Sequence, residues 1–315
     1  MIASALVQDI AQRLHVVGIA DAAQEAEELV RALLGLSRSA YLASPPELTQ
    51  EQILQLQQQT ARRMAGEPLH YIIGSLIFMN LRVTVGPGVL IPRPETELLV
   101  EETIKRIKSG KWEESSSETE RLDVEPGIRN PENNSSLVTH YALPFSDHPS
   151  RFSILDLCTG SGCIALSLAH AFPEADVCGV DVSPQALAYA RKNAEDNAIR
   201  NVRFLEGDLF GPVKGQKFAC ITANPPYIRT MDIEHLQIEI RVHEPLAALD
   251  GGPDGLDCYC RILAEAPSYL EPGGMLVMEL GHDQSAEITA LAAAHGFIDV
   301  RCIPDYAGVL RIFVG

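Results

Sequence analysis

The chain has 315 residues, 46% hydrophobic and 21% charged, which is the balance of a soluble globular protein with room for one large domain and a smaller one. Its 42 acidic residues outnumber 25 basic ones, and the net charge of -17 argues against a protein that grips nucleic acid mainly through its phosphates. No apolar run approaches bilayer-spanning length and the first residues lack a signal-peptide layout, so a cytoplasmic protein without membrane association is expected.

Residues up to about Gly74 read as a helical bundle. Ile2, Leu6, Ile10 and Leu14 recur at helical spacing, and Asp21 is placed to cap a helix carrying Ala26, Leu29, Val30, Leu33 and Leu34. Pro45-Pro46 breaks the pattern before a third helix from about Thr49 to Met64, with Ile53, Leu54 and Leu56 on its buried side. Alternation from Ile77 to Val85 predicts a short strand pair. Leu90-Ile91-Pro92-Arg93-Pro94-Glu95-Thr96-Glu97 then leads into a helix to about Ile107, where Glu95, Glu97 and Glu101 suit the helix dipole. Arg93, between two prolines, either positions a carboxylate or ties two segments together. Lys108 to Ser150 is rich in Glu, Ser, Asn and Pro and reads as a linker or surface insertion without chemistry.

From residue 151 onward strands and helices alternate. Strands are expected at Phe152 to Leu157, Val177 to Val182, Val202 to Glu206, Phe218 to Ala223, Met275 to Leu280, and near Val300 and Arg311. Helices fall at Cys163 to Phe172, Pro184 to Asn197, Tyr259 to Leu270 and Ser285 to His295. Such alternation implies an α/β fold: a largely parallel, Rossmann-like sheet covered on both faces, with ligands at the carboxyl ends of its strands. Seven scattered cysteines with no Cys-x-x-Cys spacing read as free, mostly buried thiols, and nine histidines make no metal-spaced set with them, so no metal is expected.

The candidate motifs lie at those strand ends. Asp156-Leu157-Cys158-Thr159-Gly160-Ser161-Gly162 closes the first strand and opens a helix, and its glycines permit a tight turn and close approach to a ligand. Asp181 ends the second strand where an acid binds ribose hydroxyls, and Asp208 follows the third, facing an adenine edge. Taken singly, each acid reads equally as a helix cap. The turn holds no Lys or Arg and the chain no phosphate loop, which favours a phosphate-free cofactor such as S-adenosylmethionine. Asn224-Pro225-Pro226-Tyr227 follows the fourth strand. The Asn224 side-chain carbonyl and the Pro225 backbone carbonyl offer two acceptors for a planar NH2 group, the prolines stiffen the turn, and Tyr227 adds a ring face.

These motifs, together with Glu67 to Gly74, Pro87 to Glu97, Glu244-Pro245 and Gly251 to Leu256, resemble the S-adenosylmethionine-dependent protein glutamine N5-methyltransferases of the HemK type. The resemblance spans nearly the whole chain apart from the insertion. It implies a class I methyltransferase sheet (151–315), an N-terminal helical substrate-recognition domain (1–75), a hairpin and connecting helix (76–107) and a linker (108–150). It further implies methylation of the glutamine in the Gly-Gly-Gln loop of class I peptide chain release factors, with no direct nucleic-acid contact. Cofactor contacts would come from Asp156, Cys158, Thr159, Gly160, Ser161, Gly162, Asp181, Asp208, Leu209 and Asn224. The substrate glutamine would be held by Asn224, Pro225, Pro226 and Tyr227. Cys158 stands where many relatives carry glycine, and Leu209 where some carry tryptophan. Glu244 and Glu279 either shape the site or, the favoured reading, serve structure. Methylation of a ribosomal-protein glutamine, adenine N6-methylation and a non-enzymatic scaffold that recruits release factor are the competing readings.

Overall fold

The computed structural model describes residues 2–110 and 152–315, so nearly all of the polar stretch from Lys108 to Ser150 lies outside the described residues. The chain begins with α1 (Ala3–Val16), α2 (Ala22–Leu34), α3 (Arg38–Ala43), α4 (Gln50–Met64) and α5 (Leu69–Ile73). Their apolar stripes meet in one core around Leu6, Ile10, Leu14, Leu29, Val30 and Leu56. α4 starts where its sequence says it should: Thr49 and Gln52 exchange side-chain and backbone hydrogen bonds in a capping box. Two expectations fail here. Asp21 occupies the N-cap position of α2 without a side-chain capping bond, and Leu54 points into solvent, because only Ile53 and Leu56 fall on the stripe facing α1 and α2.

An antiparallel hairpin follows, β1 (Ser75–Phe78) and β2 (Leu81–Thr84), then α6 (Pro94–Ser109) with proline in its first turn. Beyond the undescribed segment come β3 (Ser153–Leu157), α7 (Cys163–Ala171), β4 (Asp176–Asp181), α8 (Pro184–Asp196), β5 (Val202–Glu206) and β6 (Phe218–Ala223). The chain closes with α9 (Ile238–His243), α10 (Asp257–Glu265), β7 (Leu270–Glu279), α11 (Ser285–Ala294), β8 (Arg301–Pro304) and β9 (Leu310–Val314). β7 takes up Leu270 to Gly274, which the sequence pattern assigned to a helix end and a loop, and its register with β6 shifts between Phe218 and Cys220.

Seven strands form one sheet in the order β5-β4-β3-β6-β7-β9-β8, with β3 to β7 mutually parallel and β9 antiparallel to both of its neighbours. This is the expected Rossmann-like sheet. Alternate residues of β3 serve opposite cores. Ile154 packs with α6, α7 and the hairpin, whereas Leu155 and Leu157 pack with Tyr259, Ile262 and Ile288 from α10 and α11. The chain leaves β3 toward β4 and β5, then returns to place β6 on the other side of β3. That reversal opens a crevice at the carboxyl ends of β3 and β6.

Two polar clamps join the parts. Asn193 on α8 accepts from Thr84 N at 2.7 Å and donates to Thr84 O and Ser161 O, tying the hairpin to the loop after β3. Arg63, only 6% exposed, forms a bidentate pair with Glu25 (2.6 and 3.0 Å) and reaches Glu239 on α9 at 3.3 Å. Arg63→Ala leaves both carboxylates without their cation. A destabilisation of about 3 kcal/mol, the scale of breaking a buried pair, is expected and is read as a lowered midpoint in thermal unfolding.

Candidate active site

A cavity of about 320 Å³ occupies the crevice. Its wall includes Cys158 to Ser161 from the turn after β3, Asp181 at the end of β4, Asp208 and Leu209 after β5, and Asn224 and Pro226 after β6. Gly88 to Leu90, from the loop before α6, closes it from above the hairpin, and Pro245, Ala247 and Ala248 contribute from the segment before α10. Two non-glycine residues on this wall have left-handed backbones, Cys158 (φ 56°) and Leu209 (φ 44°). An L side chain held there costs roughly 1–3 kcal/mol, so Cys158 keeps the turn at the expense of local strain.

The acids behave differently from one another. Asp181, mostly buried, accepts from Gly160 N (2.8 Å) and Ser183 N (2.9 Å), so its carboxylate holds the glycine turn against β4. Burial nonetheless raises its pKa. Asp208 stands at the exposed rim in an ion pair with Arg261 at 2.6 Å. Asp156 departs from expectation: it lies on the sheet face turned toward α6 and α7, is fully buried, and is absent from the cavity wall. It accepts from Thr159 (2.6 Å) and Thr222 (2.8 Å), bracing the turn from beneath. Gly162 is likewise a packing position. At φ 81° it begins α7, and a Cβ there would lie 3.1 Å from Ala190 and from Phe204.

Asn224 faces the cavity beside the glycine turn. Its Nδ2 donates to Thr96 Oγ1 on α6 at 3.3 Å, while its Oδ1 accepts no hydrogen bond from the described residues. The Pro225 carbonyl is also without a partner among them, although Pro225 itself is buried and off the cavity wall. Tyr227 too lies off that wall. Its ring packs on the core under α10, and its hydroxyl meets Glu279 Oε1 at 3.2 Å. Gln284 fastens the loop by donating to Tyr227 O (3.0 Å) and Gly255 O (3.2 Å). Sequence reasoning missed Thr96 altogether and left Glu279 as a structural acid. The signal for Thr96 was its place in Pro92 to Glu97, but no local pattern says that α6 and β7 converge on Asn224.

Arg93 meets both of its sequence readings: it holds the carboxylate of buried Glu244 at 2.6 Å and thereby ties two segments together. Burial raises the Glu244 pKa against the pull of that guanidinium. His70 nearby is held neutral, its pKa lowered to about 4 by burial and then by Arg93. The cysteines are free but less buried than expected: Cys163, Cys178 and Cys220 are enclosed, Cys158, Cys258 and Cys302 are half-buried, and Cys260 faces solvent from α10.

Comparisons with known proteins agree along the full length. The PrmC N-terminal domain family matches residues 5–74, and the methyltransferase small domain family matches residues 142–252. A release factor glutamine methyltransferase of Thermodesulfovibrio yellowstonii is 40% identical, covering 92% of this chain and 91% of its own. Those of Geobacter sulfurreducens and Escherichia coli are 39% and 33% identical, over 95% and 93% of this chain. The chain belongs to the release factor glutamine methyltransferase family. Membership accounts for the joint presence of a helical N-terminal unit and a methyltransferase sheet, and for a cavity at which the motifs of both the cofactor turn and the Asn-Pro-Pro-Tyr turn meet.

Burial raises the Asp156 pKa from 3.8 to about 7, against the opposing pull of its two threonine donors. A folded-state pKa above the unfolded one means stability that is full below about pH 4 and lost as pH rises through about 7. Asp156→Asn removes this dependence. Calorimetric unfolding between pH 4 and 8 is expected to show a flatter profile than the parent, whose loss from this group approaches about 1.4 kcal/mol per pH unit inside the window.

Proposed function

We propose that this protein transfers a methyl group from S-adenosylmethionine to the side-chain amide nitrogen, N5, of the glutamine in the Gly-Gly-Gln motif of class I release factors. The observation that carries the reading is Asn224. It stands on the cavity wall with its NH2 tied back to Thr96, and among the described residues neither its carbonyl nor that of the adjacent Pro225 has a partner. Family membership supplies the reaction and the acceptor class.

The cavity fits the cofactor. Asp181 and Asp208 on its wall offer acceptors that suit a ribose and an adenine edge, Leu209 and Ala248 are apolar, and the turn from Cys158 to Ser161 carries no cation that would demand a phosphate. Bound S-adenosylmethionine supplies an electrophilic methyl group on its sulfonium. The protein's part is to make a poor nucleophile reactive. An amide lone pair is delocalised into its carbonyl, so the two N–H groups must be held while the lone pair turns out of the amide plane. Asn224 Oδ1, on the cavity wall, accepts a hydrogen bond from one of them, and the Pro225 carbonyl, which lies behind that wall, becomes the second acceptor only if the substrate amide reaches past Asn224. As positive charge grows on nitrogen, the same two carbonyl dipoles stabilise it, and they are already oriented before the reaction. No strong base is required beforehand, because the methylated nitrogen is acidic and gives up its proton afterward. Tyr227, with its hydroxyl at Glu279, supports the turn from behind.

Protein substrate recognition falls to the N-terminal helices (1–75) and the segment between β6 and α10. Met231, Ile238, Val242 and Leu246 on that segment are 49–70% exposed, next to Pro245, Ala247 and Ala248 of the cavity wall. Standing apolar side chains beside an acceptor site suit a folded protein better than a free amino acid.

The deciding experiment incubates purified protein with a class I release factor and methyl-labelled S-adenosylmethionine. Label is expected in the parent and absent when the motif glutamine is replaced. Asn224→Ala is expected to lower kcat by about 10²–10³-fold, the cost of losing one preorganised dipole, with cofactor affinity by calorimetry within a few-fold of the parent. Parent-like turnover in that variant rejects Asn224 as the holder of the acceptor.

A further inference from the structure

Behind Asn224 runs a chain of three groups, Thr96 and Glu279 buried and Tyr227 half-buried. Asn224 Nδ2 lies 3.3 Å from Thr96 Oγ1, Thr96 Oγ1 lies 2.6 Å from Glu279 Oε2, and Glu279 Oε1 lies 3.2 Å from the Tyr227 hydroxyl. Thr96 is 1% and Glu279 2% exposed. They belong to separate elements, α6 and β7, and neither follows from the Asn-Pro-Pro-Tyr turn itself.

The direction of each bond follows from proton counting. A threonine hydroxyl owns one proton, and a carboxylate owns none. Thr96 Oγ1 donates to Glu279 Oε2 at 2.6 Å, so the Thr96 proton is committed to Glu279. Tyr227, its pKa raised by burial and by the same carboxylate, keeps its proton and donates to the other oxygen. Thr96 Oγ1 can then only accept. An amide facing a pure acceptor must present its NH2, and the two ends of an asparagine amide point in opposite directions. The carbonyl of Asn224 therefore faces the cavity.

We propose that Thr96 and Glu279 are positioning residues that set the polarity of Asn224, so that the cavity presents oxygen acceptors to an incoming NH2 and refuses a group that brings only oxygens. This inference rests on the reading of Asn224 as the holder of the acceptor amide, and it adds the source of its orientation. It also gives buried Glu279 a purpose worth its desolvation: a neutral amide there would carry both donor and acceptor and would let the chain run in either direction.

The test compares three variants. Thr96→Val keeps the shape and deletes the hydroxyl, Glu279→Gln keeps the shape and permits reversal, and Thr96→Ser keeps the hydroxyl. Thr96→Val and Glu279→Gln are expected to lower kcat on release factor by roughly 10- to 100-fold, the scale of losing a supporting partner, with cofactor affinity by calorimetry within about twofold. Thr96→Ser is expected to rescue most of the rate. Equal losses in Thr96→Ser and Thr96→Val, or parent-like kcat in both Thr96→Val and Glu279→Gln, overturn the proposal. A second readout needs no turnover. The Asn224 side-chain amide, followed by 15N NMR, is expected to exchange its protons slowly in the parent and in Thr96→Ser and rapidly in Thr96→Val. Rapid exchange in the parent overturns the relay even if release factor is methylated. Slow exchange in a parent that leaves release factor unmethylated sustains the relay and rejects the substrate reading instead.

Discussion

The parallel pairing of β3 with β6 is the constraint on which the site depends. Leu157 is in register with Ala223, so the next residues of the two strands, Cys158 and Asn224, emerge side by side at the sheet's carboxyl edge. These residues are 66 positions apart in the chain, and only the reversal of strand order makes them neighbours. A slip of one residue would turn Asn224 toward the opposite face, since side chains alternate along a strand. The complete burial of Ile154 on one face and Leu155 on the other opposes such a slip, because both would lose their packing. Hydrophobic burial thus sets the register, and the register sets the chemistry.

Carboxylates are used in two ways around that edge. Asp208 remains at the rim, where water and Arg261 satisfy it. Asp156 and Glu279 are enclosed, and burial raises the pKa of each. Enclosing them is a cost that hydroxyl donors only partly offset: Thr159 and Thr222 for Asp156, Thr96 and Tyr227 for Glu279. In both cases the acid does not touch the cavity but governs something that does. Asp156 steadies the turn that carries Cys158 to Ser161, and Glu279 commits the Thr96 proton. A low local dielectric strengthens these bonds, which is why such supports lie beneath a site and not on its rim.

The helical N-terminal unit is fastened to the sheet domain by charge as well as by packing. Arg63 alone links Glu25 in the bundle with Glu239 on α9, the helix within the segment that flanks the cavity. A guanidinium suits this junction because its planar fork satisfies two carboxylates at once. The segment that flanks the cavity is therefore anchored to the bundle by the same residue that holds α2 to α4.

Local chemistry was enough to read the α/β alternation, the glycine turn and the start of α4 near Thr49, because each depends on neighbours within one element. Only the tertiary structure decided that Asp156 and Gly162 serve packing and bracing, that Tyr227 turns its hydroxyl into the core, and that Thr96 and Glu279 stand behind Asn224. The reason is physical. Burial and hydrogen-bond direction are properties of what surrounds a side chain, and around Asn224 those surroundings come from α6 and β7, which lie far from it in sequence.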